Sequence, residues 1–443
     1  MKSVSALVAA ALIANGSFGA QTLMEAFEEG IFKGHIRLFY IDRSWQGDLA
    51  DLKTDYDAKA AAIDLHYETA PWRGWSAGVT MYSDNDFGLN SSDIKKVHTS
   101  ILGDDGESFS FVGEAYGKYH HQNTTFKAGR QKISTPLLAP DDARTIPTLF
   151  SGYLLTNTDL PHTTITAAHI THIAPGTFFN QYRNPHKHAL VLTAGYGANA
   201  DASIGEFHDI GWYTVGEQTD GVSFVGIINR SIPDLTLQIW DYYAHDILNA
   251  LYIEGIYRFD TQYSPYIALQ YINEKDVGDA LLKNLEDIPT GEIDANYYGI
   301  KIGATFGNLS AYAAYSSCDS SKDTALHGSI ISAWGGMPAY TQGMVTRHQF
   351  LADTTAWKVA GVYKWESGLK SALYYASFDV GSLNPYSPGH DWTAREAGFD
   401  LIYYPVKDLQ LRFRGNFPRK FYENAQGEDL GWDEFRLIVN YYF

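Results

Sequence analysis

Four arginines alternate with apolar neighbours. Arg412 and Arg414 are separated by Phe413 in LQLRFRGNF (409–417), Arg436 lies between Phe435 and Leu437, and Arg37 lies between Ile36 and Leu38. In an extended chain successive side chains point to opposite faces, so each arginine projects away from an apolar row. Guanidinium forks match carboxylates in geometry and charge, and a row of them is suited to guiding anions. Lys33 and His35 share the face of Arg37. The chemistry depends on whether a scaffold brings these residues together.

The scaffold is legible at the C-terminus. In DEFRLIVNYYF (433–443), Phe435, Leu437, Val439, Tyr441 and Phe443 alternate with Arg436, Ile438, Asn440 and Tyr442. One face suits lipid and the other a wet lumen, as a wall of a transmembrane β-barrel requires. Runs of similar alternation between turn signals predict eighteen strands, from 31–40 to 433–443 and including 188–197, with 16 to 18 as the range. The expected fold is all-β, an antiparallel up-and-down transmembrane barrel. Connections alternate short and long, as periplasmic turns and external loops do. Two fit poorly, 174–187 being long for a turn and 246–248 short for a loop.

Composition agrees. The chain has 31 Tyr, 23 Phe and 10 Trp, yet no run of about 18 apolar residues that would make a membrane helix. Lys2, the apolar stretch Val4 to Ala14 and the small residues Ser17, Gly19 and Ala20 mark residues 1–20 as a signal peptide, leaving 21–443 as one barrel domain of the outer membrane. The terminal Phe443 resembles the signature by which the barrel-assembly machinery recognises its clients.

Closure joins first strand to last. Arg37, Arg412, Arg414 and Arg436 then come from three adjacent strands and form a basic wall, with Lys33 and His35 beside it. Elsewhere the inward set is mixed, including Asp64, Glu68, Glu114, Lys118, Glu254, Lys301, Glu396 and Asp400.

The segment GRQKISTPLLAPDDARTIPTLFSG (129–152) follows a strand and is too long for a turn. Together with 409–417, IPDLTLQIWDYYAHDIL (232–248) and the C-terminus, it resembles the OprD family of outer-membrane porins. The departure is an extra acid, Asp141 and Asp142 both preceding Arg144. The resemblance implies an eighteen-stranded channel for small, often carboxylate-bearing solutes, with 133–162 as an inward-folded constriction loop. It places Arg130, Asp141, Asp142 and Arg144 near the eyelet and matches Arg412 and Arg414 to a basic ladder. Strict alternation with Ala128 would turn Arg130 outward, so that assignment requires a bulge or an interfacial position.

The expected function is passive diffusion of small hydrophilic solutes and ions, in contact with outer-membrane lipid. The net charge of −18 disfavours nucleic acid. No catalytic residue, cofactor or metal is expected. His169 and His172, three apart on a strand, would lie on opposite faces, and no G-x-S-x-G elbow is present. The alternatives are a surface adhesin or structural protein, and a barrel-type lipid hydrolase with a catalytic constellation near the rim.

Overall fold

The computed structural model describes residues 19–181, 190, 196–286, 288 and 290–443. Most of the expected signal peptide, 1–18, lies outside the described residues. Eighteen strands of at least eight residues follow in order. They are β1 (Ile31–Gln46), β2 (Tyr56–Glu68), β3 (Trp75–Asn85), β4 (Phe109–His121), β5 (Thr124–Gln131) and β6 (Leu149–Asn157). Next come β7 (Thr163–Ala174), β8 (Val222–Asn229), β9 (Leu235–Ala244), β10 (Leu248–Arg258), β11 (Tyr266–Asp276) and β12 (Asp294–Phe306). The last are β13 (Leu309–Cys318), β14 (Thr354–Lys364), β15 (Lys370–Val380), β16 (Trp392–Val406), β17 (Leu409–Arg419) and β18 (Asp429–Tyr442). Each pairs antiparallel with the next, and β18 returns to β1 in the register Arg37↔Asn440, closing the barrel and abolishing its edges.

Two strand assignments change. Leu149–Asn157 is a wall strand, so the loop expected at 133–162 is confined to 132–148. The expected strand 188–197 lies mostly outside the described residues, and β7 pairs directly with β8, leaving 175–221 as one long connection. This removes the first misfit, because 158–162 is now the short turn after β6. The second stays: 245–247 is a short link on the long-loop rim.

The alternation behaves as a barrel in lipid requires. Leu411 and Phe413 on β17, and Leu437 on β18, are exposed on the outside, while Arg414, Asn416, Arg436 and Asn440 face in and are buried. A charge on the lipid face near the midplane costs about 2–4 kcal/mol, which sets the register.

Toward the long-loop rim the barrel is filled rather than open. Inward Phe39 and Ile41 of β1 pack on Ile101 and Leu102 from 86–108. Leu137 and Leu138 join Phe178, Tyr213, Trp334 and Phe350 in a core that runs from wall to loops. Toward the short-turn rim the inward face is polar, with Lys118 paired to Glu68.

Candidate functional site

The closing strands bring the basic residues together. On β1, Arg37 Nε donates to Asn440 Oδ1 at 2.9 Å. Beside it His35 Nδ1 lies 2.9 Å from Asp64 Oδ1, and its ring stacks on Tyr442 with centroids 4.5 Å apart. Lys33 is exposed nearer the short-turn rim. On β17, Arg412 and Arg414 share one carboxylate. Arg412 Nε is 2.8 Å from Asp400 Oδ1, and Arg414 Nη2 is 2.8 Å from Asp400 Oδ2. Asp400 sits directly opposite Arg414 in the β16–β17 register, so the sheet itself imposes the pairing.

Segment 132–148 leaves the wall after β5 and reaches inward side chains of β1. Asp142 Oδ1 accepts from Arg37 Nη1 at 2.8 Å, and the same nitrogen donates to the Arg144 carbonyl. Burial alone would raise the Asp142 carboxyl; Arg37 and Lys132 outweigh it and hold the group below the ordinary aspartate value. Asp141 adopts a left-handed φ of 37°. Its Oδ2 accepts from Tyr196 Oη at 3.1 Å and stands 3.5 Å from Arg347 Nη1. Between loop and wall lies a cavity of about 300 Å³ lined by Arg37, Arg412, Arg414, Asp141, Asp142 and Asn440.

Three expected residues are placed differently. Arg436 faces inward but is only 1% exposed, its Nε donating to Glu434 Oε1 at 2.7 Å. Arg144 does not line the eyelet. It is buried behind the loop, with Nη2 3.8 Å from Glu434 Oε1 and Nε donating to Ser100 Oγ at 2.9 Å. Arg43 completes the group, its Nε 3.0 Å from Glu434 Oε2, and His98 Nε2 lies 3.7 Å from the same oxygen. Arg436 and Arg144 therefore anchor 86–108 and 132–148 to the wall; one buried carboxylate among guanidiniums holds its neighbours because each would be costly to leave uncompensated. Arg130 points outward as strict alternation requires, opposite exposed Ala115, with its guanidinium over the Phe207 ring at 4.6 Å.

Segment 319–353 contributes more than its length suggested. Glu396 on β16 accepts backbone N–H bonds from Met344 at 2.7 Å, Val345 at 3.2 Å and Thr346 at 2.5 Å. Arg347 of the same segment meets Asp141, and Ala139 N donates to the Trp334 carbonyl at 3.0 Å. The two inward segments thus support each other. Glu396 and Asp400 were legible as inward residues, but the partners of Glu396 lie 50 to 52 residues earlier in a loop and those of Asp400 across a register that alternation alone does not give. A bulge at Thr171 between β6 and β7 also turns His172 to the same outward face as His169, against the expectation of opposite faces. No group of three His, Cys, Asp or Glu able to hold a metal converges among the described residues.

A closed antiparallel barrel of eighteen strands, with loops folded onto a charged lumen, defines an outer-membrane channel of the porin class. The chain belongs to the OprD family of outer membrane porins, whose model matches residues 27–443. Among solved structures it resembles Pseudomonas aeruginosa OccK9 (OpdG), with a TM-score of 0.73 at 18% identity over 94% of this chain and 99% of that one. It also resembles Pseudomonas aeruginosa OpdK with vanillate (TM-score 0.71, 18% identity, 94% and 99% covered). A third is Pseudomonas aeruginosa OccK2 (OpdF) in complex with glucuronate (TM-score 0.68, 16% identity, 94% and 98% covered). At such identities the likeness is one of fold. No curated protein matched the chain.

Proposed function

We propose that this porin passes small carboxylate-bearing or zwitterionic solutes by passive diffusion, with 132–148 as its constriction loop. The observation that carries this reading is the cavity in which Arg37, Arg412 and Arg414 face Asp141 and Asp142. Base on the wall and acid on the loop create a transverse field, in which a zwitterion or carboxylate aligns and a neutral solute gains nothing. The two fold neighbours with bound vanillate and glucuronate, both carboxylates, support the substrate class by analogy. The chain's overall charge of −18 does not oppose it. Exposed charges more than about 8 Å from the constriction are screened at physiological salt, so the groups lining it dominate. Binding need only be weak, since a tight site would slow exit.

The reading includes no catalytic step and no cofactor. Phe443, exposed at the end of the chain beside Phe32 at 6.4 Å between centroids, is assigned to recognition by the assembly machinery. The test is solute flux into liposomes carrying the protein, comparing benzoate with an uncharged solute of similar size. Arg412→Gln with Arg414→Gln should lower the benzoate rate relative to the neutral solute. An unchanged ratio removes the ladder from the mechanism.

A further inference from the structure

We propose that Asp400 sets the charge selectivity of this pore, holding the arginine ladder near one net positive charge so that it favours monocarboxylates over dicarboxylates. This deepens the function proposed above and rests on it. Three guanidiniums, Arg37, Arg412 and Arg414, border the cavity. Asp142 holds the first at 2.8 Å, and Asp400 holds the other two, at 2.8 Å each through Arg412 Nε and Arg414 Nη2. Asp141 is matched by Arg347 at 3.5 Å and adds no net charge. Three cations against two carboxylates leave one positive charge facing the solute. The group around Glu434 is buried behind the loop, and a change at Asp400 leaves it unaltered.

The geometry leaves the ladder able to bind while neutralised. Asp400 takes one edge of each guanidinium. Arg412 keeps 27% of its side chain exposed, and among the described residues Arg414 Nε is buried with no hydrogen-bond partner. A solute carboxylate approaching from the cavity meets the exposed part of the Arg412 guanidinium beside a charge already half cancelled. Asp400 also fixes both forks in place, so it is a positioning residue as well as a counter-charge. The two roles separate on substitution. Asp400→Asn removes charge and keeps a side chain of the same shape, whereas Asp400→Glu keeps charge and changes reach.

One elementary charge about 7 Å away in a medium as polar as water alters the local concentration of a monovalent ion roughly threefold, and that of a divalent ion by about the square of this. Reversal potentials of single channels, measured with chloride against benzoate and against phthalate, read the effect directly. Asp400→Asn should raise anion-over-cation permeability by about the square of that factor, since the cation is depleted as the anion is enriched, and the phthalate-to-benzoate ratio about threefold. Asp400→Asn with Arg412→Gln restores the balance and should return both ratios toward wild type. Glu68→Gln, a loss of charge at the short-turn end beside Lys118, should change neither ratio by as much. Unchanged ratios in conducting Asp400→Asn channels, or Asp400→Glu shifting them as Asp400→Asn does, would overturn the assignment. A wild-type channel that conducts chloride but excludes both aromatic acids would instead overturn the proposed substrate class.

Discussion

Arg37 on the first strand and Asp142 on the inward segment are joined by a 2.8 Å ion pair, although the wall strand β5 from which that segment departs lies four strands away from β1. The contact ties the loop across the lumen to the seam where the barrel closes. It also fixes the loop's distance from the ladder, and therefore the size of the cavity between them.

Asp142→Asn should loosen that tie. The expected result is a larger and noisier unitary conductance with little change in thermal stability, read in planar bilayers and by unfolding in detergent. The wild-type contact has a defined acid limit. Because the folded Asp142 carboxyl lies below its ordinary value of 3.8, the pair contributes fully above that value and is lost only as pH falls through the lower folded one. Conductance should therefore hold between pH 7 and about 4 so far as this contact controls it, and an opening near pH 6 would contradict the assignment.

Acid should act earlier on the loops through two buried histidines. Burial pushes His98 down to about 3 and His348 down to about 4 from an ordinary 6.5. Glu434 faces His98, with Arg43 and Arg144 beside it; His348 Nε2 is 2.6 Å from the Phe421 carbonyl among aromatic rings. Both are neutral in the folded protein and bind protons when unfolded. Stability is thus complete above about 6.5 and falls as pH drops toward 4, by roughly 1.4 kcal/mol per pH unit for each histidine. Melting temperatures recorded from pH 7.5 to 4.5 should show this slope, and His348→Gln should flatten it; an unaltered slope would place the acid sensitivity elsewhere.

Among the described residues Glu434 is a carboxylate to which Arg43, Arg436 and Arg144 all turn, and it is fully buried. Glu434→Gln removes their shared counter-charge in a buried setting and should cost about 3–5 kcal/mol. The change is expected as a large drop in unfolding temperature and poor refolding. Replacing Arg130, exposed on the outside, with Gln should alter stability by less than about 0.5 kcal/mol, although its side chain is also a guanidinium.

Glu396 clasps the tip of 319–353 through the amides of residues 344–346. Glu396→Gln turns one acceptor oxygen into a donor facing donors, at a cost of about 1–3 kcal/mol. The segment should swing away from the ladder, seen as faster cleavage by added protease between 338 and 350 and as excess current noise. Cleavage equal to that of wild type would show that the clasp is dispensable.

Much of this was legible from alternation. Seventeen of the eighteen expected strands have counterparts in the wall, and the faces of Arg37, Arg412, Arg414, Arg436 and Asn440 follow from period two alone. β6 was missed because Leu154 and Leu155 are both apolar: one packs on the internal core and the other faces lipid, which erases the contrast. For the same reason Phe39 and Ile41 look out of place in a wet barrel until the loops that cover them are in position. Facing inward is also not the same as lining the pore. Arg436 and Arg144 are drawn to Glu434, a preference set by contacts between strand and loop that no local pattern carries. Asp400 had the right face but no visible partner until the β16–β17 register placed it opposite Arg414.

The most direct measurement is single-channel recording of the refolded chain in a planar bilayer under a salt gradient. Stable unitary steps are expected, with a reversal potential on the anion side despite the acidic protein as a whole, moving toward cations in Arg412→Gln with Arg414→Gln. Folded, inserted protein that gives no steps, or steps whose selectivity ignores both arginines, would contradict a pore governed by the wall and loop charges.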